Sequence, residues 1–130
     1  MNCFCFFFTL RNKETNIIIV NMRETILMKD LLKQINKAFD NKIRLAIMAY
    51  LMQKKTATFN EMKALLGATD GNLSANASVL EDNRYIEINK GFAKKKPVTT
   101  YVITDLGRAA FKLHVEALAK IIQGKYDTKS

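Results

Sequence analysis

Gly67 separates two short segments in which apolar residues recur at the spacing of a helix, and this arrangement constrains the fold more than any other feature of the sequence. The apolar residues lie three or four positions apart on both sides of the glycine: Met62, Leu65, Leu66, Leu73, Ala77 and Leu80. Asn60 is suited to cap the first helix, and Thr69 or Asp70 the second. Gly67 can end the first helix in the left-handed conformation. Two short helices joined by such a tight turn are the outline of a helix-turn-helix.

The segments around this unit complete the predicted architecture. Residues 29–39 carry apolar side chains on one face and lysines on the other, which predicts an amphipathic helix. Asp40 and Asn41 can cap a second helix. One side of that helix repeats at helical spacing: Ile43, Ala46, Ile47, Tyr50 and Leu51. A polar connection follows at residues 53–58.

Beyond residue 84 the pattern changes from that of a helix to that of strands. Residues 85–89 and 99–104 predict two strands, and GFAKKKPV between them predicts a long basic loop. Thr104 or Asp105 can cap a last, long helix that runs to about Gln123. The predicted fold class is therefore mainly α, with a small β-hairpin.

Charge and the scarcity of histidine narrow the function. Lys and Arg number 21 against 12 Asp and Glu, and the resulting net charge of +9 favours a polyanionic partner. His114 is the only histidine, so neither a histidine metal cluster nor catalysis is expected, and its predicted role is structural or on the surface. Cys3 and Cys5 are too few for a metal site and do not form a disulfide framework, which favours a reducing cytoplasm. We expect no cofactor and no metal.

The first 27 residues differ in character from the rest. They hold four of the eight phenylalanines and a β-branched run at residues 17–20. Two interpretations stay open: a start codon assigned too far upstream, or an extra strand at residues 17–20 that packs on the domain. Residues 1–10 lack the features of a signal peptide and are too short for a membrane helix, so no membrane association is expected. We predict a peripheral segment at 1–27, a domain at 28–123 and a polar tail at 124–130.

The chain resembles the small bacterial winged-helix regulators related to MarR and ArsR in two stretches, LLGATDGNLSANASVLEDNRYIE and KKKPVTTYVITDLGRAAF. The similarity covers about residues 43–111 and is greatest to a short single-domain group with a TDGNLS turn and a KPxTTYxxTxxGR wing. It implies a winged helix-turn-helix that binds duplex DNA as a homodimer and regulates transcription. The recognition helix, about residues 70–84, would enter the major groove, and the wing, residues 90–97, would meet the backbone or minor groove.

The sequence departs from the family pattern in the recognition helix, where relatives often carry Arg-His and a later Lys. Here Ala75, Asn76 and Val79 stand instead, and residues 70–84 hold three acids against one base. We expect the amides of Asn72 and Asn76 to read adenine edges, while the serines either meet bases or phosphates or are solvated. The predicted DNA contacts are Asn72, Ser74, Asn76, Ser78, Lys90, Lys94, Lys95, Lys96 and Thr99.

The first and last helices lie outside the helix-turn-helix and each keep an apolar stripe, so they are the expected dimer interface. The predicted interface residues are Leu31, Leu32, Ile35, Leu113, Ala117, Leu118, Ile121 and Ile122. An alternative stays open, because the weakly basic recognition helix also suits a winged helix that binds protein or RNA without operator specificity. The sequence does not indicate an effector ligand.

Overall fold

The computed structural model describes residues 26–128. The possible strand at residues 17–20, Cys3 and Cys5 lie outside this range. In chain order the elements are α1 (Met28–Gln34), a 3-10 helix (Lys37–Phe39), α2 (Lys42–Lys54), β1 (Thr56–Thr58), α3 (Phe59–Leu66), α4 (Asp70–Asp82), β2 (Ile86–Ala93), β3 (Lys96–Ile103) and α5 (Asp105–Ile122). This mainly helical fold with one small sheet confirms the predicted fold class. Within the described range, no helix has the length and apolar character needed to cross a membrane.

The sheet has three antiparallel strands in the order β1-β3-β2. β1 pairs with residues 100–102 of β3. From the sequence, β1 was expected to belong to the polar connection at residues 53–58. Three residues with one buried side chain, Ala57, are too few to show a strand period. β1 therefore forms because β3 offers it a partner edge, a long-range cause that the local sequence does not carry.

The hairpin of β2 and β3 is longer than predicted. The two strands stay paired up to Ala93 and Lys96, so only Lys94 and Lys95 form the turn, both with positive φ. The predicted long loop over GFAKKKPV is therefore wrong. Pro97 does not interrupt the pairing, because it lies beyond the reach of β1, where β3 has a neighbour on one side only and a residue without an N–H is tolerated.

The core lies where α2, α4 and the base of the sheet meet. Apart from Met48, which the predicted stripe of α2 did not include, its fully buried side chains follow the predicted helical stripes and the inward face of the hairpin: Ile47, Leu51, Met62, Leu73, Ala77, Leu80, Ile86 and Tyr101. Because one face of α4 packs into this core, the opposite face remains exposed.

The N-terminal caps of α2 and α5 agree with the sequence analysis, and that of α3 does not. Asn41 caps α2 and Thr104 caps α5, as predicted. α3 is capped by Thr58 rather than by Asn60. The Thr58 hydroxyl accepts from the backbone N–H of Glu61, and the Glu61 carboxylate accepts from the backbone N–H of Thr58. This reciprocal pair satisfies two backbone donors at once and starts the helix two residues earlier than predicted.

The first predicted helix, residues 29–39, is divided in two. α1 ends at Gln34, and Asn36 has extended backbone before the 3-10 helix begins. The backbone N–H of Asn36 donates to His114 Nδ1 at 2.9 Å, its Oδ1 accepts from Ala38, and its Nδ2 donates to the Tyr85 hydroxyl. These tertiary bonds hold Asn36 out of the helix, which the amphipathic pattern alone does not show.

Contacts at the two ends of the fold extend beyond residues 28 and 123. α1 packs against α5. Leu27 forms a parallel bridge with Asp127, whose backbone N–H donates to the carbonyl of Ile26 at 2.8 Å. Residues on both sides of the predicted domain therefore pair with each other, and the polar tail takes part in the fold at least as far as Asp127.

Candidate nucleic-acid interface

α3 and α4 form the predicted helix-turn-helix. α3 ends at Gly67 with φ of 61°, and Thr69 caps α4 by accepting from the backbone N–H of Asn72 at 3.1 Å. Lys63 Nζ and Asp70 Oδ1 form an ion pair of 2.5 Å between the two helices. Both side chains are largely exposed, so the pair adds little stability. It does balance the charge of an acid at the start of α4.

One face of α4 is buried and the other is exposed. The buried side chains are Leu73, Asn76, Ala77 and Leu80. The exposed positions on the opposite side are Gly71, Asn72, Ser74, Ala75, Ser78 and Val79. Because these side chains are small, the helix backbone can approach a groove closely, and hydroxyl, amide and methyl groups are the groups that it would present there.

Asn72, Ser74 and Ser78 lie on this exposed face, where the sequence analysis expected them. Acids are also present: Asp70, Glu81 and Asp82 are exposed on the same helix. The surface of α4 is therefore polar and only weakly charged in its central part, so any attraction to a polyanion must come mainly from elsewhere.

Asn76 does not lie on the exposed face. Its side chain is 9% exposed and bonded at both ends. Its Oδ1 accepts from Arg44 Nη1 at 2.8 Å, and its Nδ2 donates to the backbone carbonyl and to the Oδ1 of Asn72 at 2.9 and 2.7 Å. The prediction that Asn76 reads a base edge is therefore inconsistent with the structure. Its position beside Leu73 and Ala77 turns it inward, and Arg44 supplies the partner that makes burial of an amide acceptable.

The wing carries the positive charge of the site. Lys90, Lys94, Lys95 and Lys96 are all exposed. No salt bridge within the part of the chain that the structure describes engages any of them. Thr99, also predicted as a contact, is half-buried in β3 opposite Lys90. The wing thus presents unneutralised ammonium groups on a two-stranded ribbon beyond the core.

Two residues of this region were missed by the sequence analysis. Phe92, in the segment predicted as a loop, is 76% exposed on the wing and lies opposite Pro97. Arg44 lies on α2, outside the helix-turn-helix, and reaches Asn76 across 32 residues of sequence. Phe92 could have been recognised as an apolar residue within a basic run. Arg44 carries no sequence signal that pairs it with α4.

The residues predicted for the dimer interface separate into three groups. Leu31 and Ala117 are fully buried within one chain, where α1 packs on α5, so they are not available to a partner. Leu32, Leu113 and Ile122 are 56%, 49% and 80% exposed. The remaining three, Ile35, Leu118 and Ile121, are half-buried. The apolar pairing expected between chains is thus partly satisfied within one chain, and a smaller exposed set remains.

Burial and hydrogen bonding shift the pKa values of His114 and Glu61. Burial lowers the pKa of His114, which lies behind α1 and is 3% exposed. The Tyr50 hydroxyl donates to Glu61 Oε2 at 2.5 Å, and this bond lowers the pKa of the Glu61 carboxyl that caps α3. Over residues 26–128, no three His, Cys, Asp or Glu side chains are grouped so as to hold a metal ion.

Comparison with known proteins identifies the same architecture. A family model described as a winged helix DNA-binding domain matches residues 43–122. An uncharacterised protein of Methanocaldococcus jannaschii is 33% identical over 85 residues, which are 65% of this chain and 92% of that protein. The family match includes both helices of the helix-turn-helix, the wing and α5.

Solved structures agree with the family match. A transcriptional regulator homologue from Pyrococcus horikoshii is 32% identical with a TM-score of 0.67, over 74% of this chain and 93% of that one. AbfR of Staphylococcus epidermidis is 17% identical with a TM-score of 0.57, over 98% of this chain and 82% of that one. The first is related in sequence and structure, and the second shares the fold.

Proposed function

The chain belongs to the family of winged helix DNA-binding domains and is a DNA-binding protein of the transcription-regulator type, and on this premise we propose how it binds. It acts as a homodimer on duplex DNA of defined sequence. α4 enters the major groove, and the wing lies against the backbone or in the minor groove. AbfR, which shares the fold, has a structure in an overoxidized form bound to DNA.

The observation that carries this proposal is the pairing of a small-residue helix face with a basic hairpin. The exposed side of α4 offers Asn72, Ser74 and Ser78 among residues without bulk. The wing offers four exposed lysines. Base edges are read at short range by hydrogen bonds, whereas phosphates attract cations with little regard to sequence. The two surfaces therefore suit the two parts of a duplex.

A homodimer is supported by the apolar residues that one chain leaves exposed on α1 and α5. Leu32, Leu113 and Ile122 lie on these two helices. Exposed apolar side chains on adjoining elements suit a partner surface. A twofold axis there would present two copies of α4 to half-sites about 34 Å apart, one turn of DNA.

A selection of bound duplexes from a random pool tests the proposal. The wild type should enrich a sequence with twofold symmetry, and Asn72→Ala should weaken the preference at one position of each half-site. Asn60→Ala is the matched control, because Asn60 is also an exposed asparagine but lies on α3. That control should keep the wild-type preference. Enrichment of no sequence by the wild type would overturn the proposal.

A winged helix that contacts protein or RNA is the second candidate. The acids of α4, Asp70, Glu81 and Asp82, favour it because they would repel phosphates. Binding to unstructured or duplex RNA that is at least as tight as binding to the selected DNA would favour this alternative.

A further inference from the structure

A partly buried chain of hydrogen bonds links α2 to the exposed face of α4. Arg44 Nε donates to the carbonyl of Ala38 at 2.6 Å, and Arg44 Nη1 donates to Asn76 Oδ1 at 2.8 Å. Asn76 Nδ2 donates to Asn72 Oδ1 at 2.7 Å and to the Asn72 carbonyl at 2.9 Å. The chain begins in the interior and ends at a residue predicted to contact DNA.

The direction of every bond in this chain is fixed by its first member. A guanidinium has only donors, so the atom of Asn76 that faces Arg44 must be the oxygen. The NH2 group of Asn76 then faces Asn72, and a donor requires an acceptor there. Asn72 must therefore turn its Oδ1 toward Asn76. The two ends of an amide differ little in shape, and here the charge of Arg44 removes the ambiguity.

The remaining end of Asn72 is its Nδ2. No partner for this atom is found among residues 26–128. Asn72 is exposed, whereas Asn76 is buried, so the donors of Asn72 are the part of this chain available to a ligand. Because Asn76 and the Oδ1 of Asn72 already have hydrogen-bond partners within the chain, Asn72 presents only its Nδ2 donors to a ligand.

We propose that Arg44 and Asn76 are positioning residues that fix the amide polarity of Asn72, so that Asn72 presents N–H donors and selects an acceptor base. This inference rests on the proposed binding of duplex DNA. In the major groove, guanine presents O6 and N7 and thymine presents O4, whereas cytosine presents the N4 donor. Adenine presents its N7 acceptor beside the N6 donor, so the half-site position that faces Asn72 is guanine, thymine or adenine and not cytosine, and the adenine contact expected from the sequence would be made through N7.

Asn76→Asp reverses the polarity without changing the size of the side chain. Both carboxylate oxygens are acceptors, so one stays paired with Arg44 and the other requires a donor from Asn72. Asn72 then turns its Nδ2 inward and its Oδ1 outward. In duplex selection, cytosine, whose N4 offers only a donor, should gain about tenfold in affinity relative to guanine and thymine at that one position. All other positions should stay as in the wild type.

Two further variants separate positioning from a purely structural role. Asn76→Ala removes the inner partner, so Asn72 can present either end and the preference at that position should flatten while binding persists. In the double variant Asn72→Ala with Asn76→Asp, the base preference should equal that of Asn72→Ala alone. Thermal unfolding of each variant verifies that it folds. A loss of stability alone would lower binding to all duplexes equally and would not move one base preference.

A measurement on the unmodified protein keeps the inference testable if the Asp variant does not fold. The side-chain N–H groups of Asn76 should exchange with solvent more slowly than those of Asn72 in the free protein, as read from their NMR signals. Equal exchange would overturn the inference, and so would an Asn76→Asp variant that folds and selects the wild-type sequence. If the wild type selects no sequence at all, the proposed function fails first and this inference fails with it.

Discussion

α4 and the wing are neighbouring parts of one candidate interface, and they are built in opposite ways. α4 rests on the core through Leu73 and Leu80, and a partly buried hydrogen-bond chain, by our proposal, sets the direction of its one exposed amide. From Asn89 to Pro97 every residue of the wing is exposed, and only the opposite strand supports it. A hydrogen bond to a base requires a fixed donor, whereas attraction to phosphate tolerates variation in position. Discrimination thus belongs to the supported part and general affinity to the unsupported one.

The largest expected effect comes from the contact between Gly107 of α5 and Tyr85, and it tests whether α4 and the wing both depend on that contact. A Cβ at Gly107 would lie 2.0 Å from the backbone oxygen of Tyr85, the residue before β2. Backbone cannot move aside easily, so Gly107→Ala should lower the free energy of unfolding by about 3 kcal/mol or more. Denaturant unfolding measures it. Gly71→Ala is the control, because nothing lies within 4 Å of the added methyl, and it should raise stability by about 0.5 kcal/mol.

If Gly107→Ala unfolds at the same denaturant concentration as the wild type, α5 does not hold the start of the hairpin in place. The distinction between a supported α4 and an unsupported wing would then be wrong. Gly71→Ala tests the role of α4 separately from the stability of the fold. It adds a methyl to the exposed face of α4, so it should weaken DNA binding while the fold gains stability.

The next largest effect should come from loss of the proposed homodimer, which supplies two copies of α4 and of the wing. Leu113→Glu with Ile122→Glu places charges on exposed apolar positions of α5 that a single chain does not bury. We expect a folded monomer whose affinity for the full site falls by about 100-fold, because one half-site then binds without the other. Sedimentation and titration with full and half sites measure the two quantities. Leu106→Glu, also on α5 and 53% exposed, should remain dimeric. A dimeric double variant would remove these residues from the interface.

Removal of the charge of the wing without loss of its turn tests the other half of the comparison. Lys94 and Lys95 both have positive φ, a conformation that Asn-Gly adopts more readily. Lys94→Asn with Lys95→Gly should therefore keep or improve stability. The slope of log K against log salt should fall by up to about 2 per protomer, with equal losses on specific and random duplexes.

Lys112→Ala on α5 is the matched control for the wing and should leave the salt slope unchanged if α5 faces away from DNA. If the wing variant instead changes which base is preferred, the wing reads sequence, and the division between the two parts breaks down.

Local signals in the sequence were sufficient for most of the fold. Gly67, Thr69 and Thr104 act through neighbours a few residues away, and their roles were predicted. The capping box of Thr58 and Glu61 was present in the sequence but was overlooked in favour of Asn60. The division of the first helix could not be predicted, because its cause is a bond between Asn36 and a residue 78 positions later.

The candidate site was less accessible to sequence analysis than the fold. Asn72 and Asn76 are the same residue type on the same helix, and composition does not separate them. Their roles diverge because Asn76 lies toward the core and Arg44 reaches it from another helix. The wing turn was also misjudged, since two lysines with positive φ replace the usual Gly or Asn signal for a two-residue turn.

The smallest expected effect is a pH dependence that should leave both parts of the interface unchanged. Burial holds the pKa of His114 below its usual value of about 6.5, against a weaker opposing influence of Asp40. Below that pH the unfolded chain binds the proton that the folded chain resists, so stability should fall as the pH drops from about 7 to 5.5. The proton would also compete with the Asn36 N–H for Nδ1. His114→Asn keeps an acceptor near Nδ1 but has no titrating group. The thermal midpoint of this variant should therefore vary less over this pH range than that of the wild type. Base preference and salt slope should stay constant over this range while the protein is folded. Equal pH dependence of the thermal midpoint in both proteins would contradict this role of His114, and a pH-dependent base preference would show that the core and α4 are coupled beyond the bonds of Arg44 and Asn76.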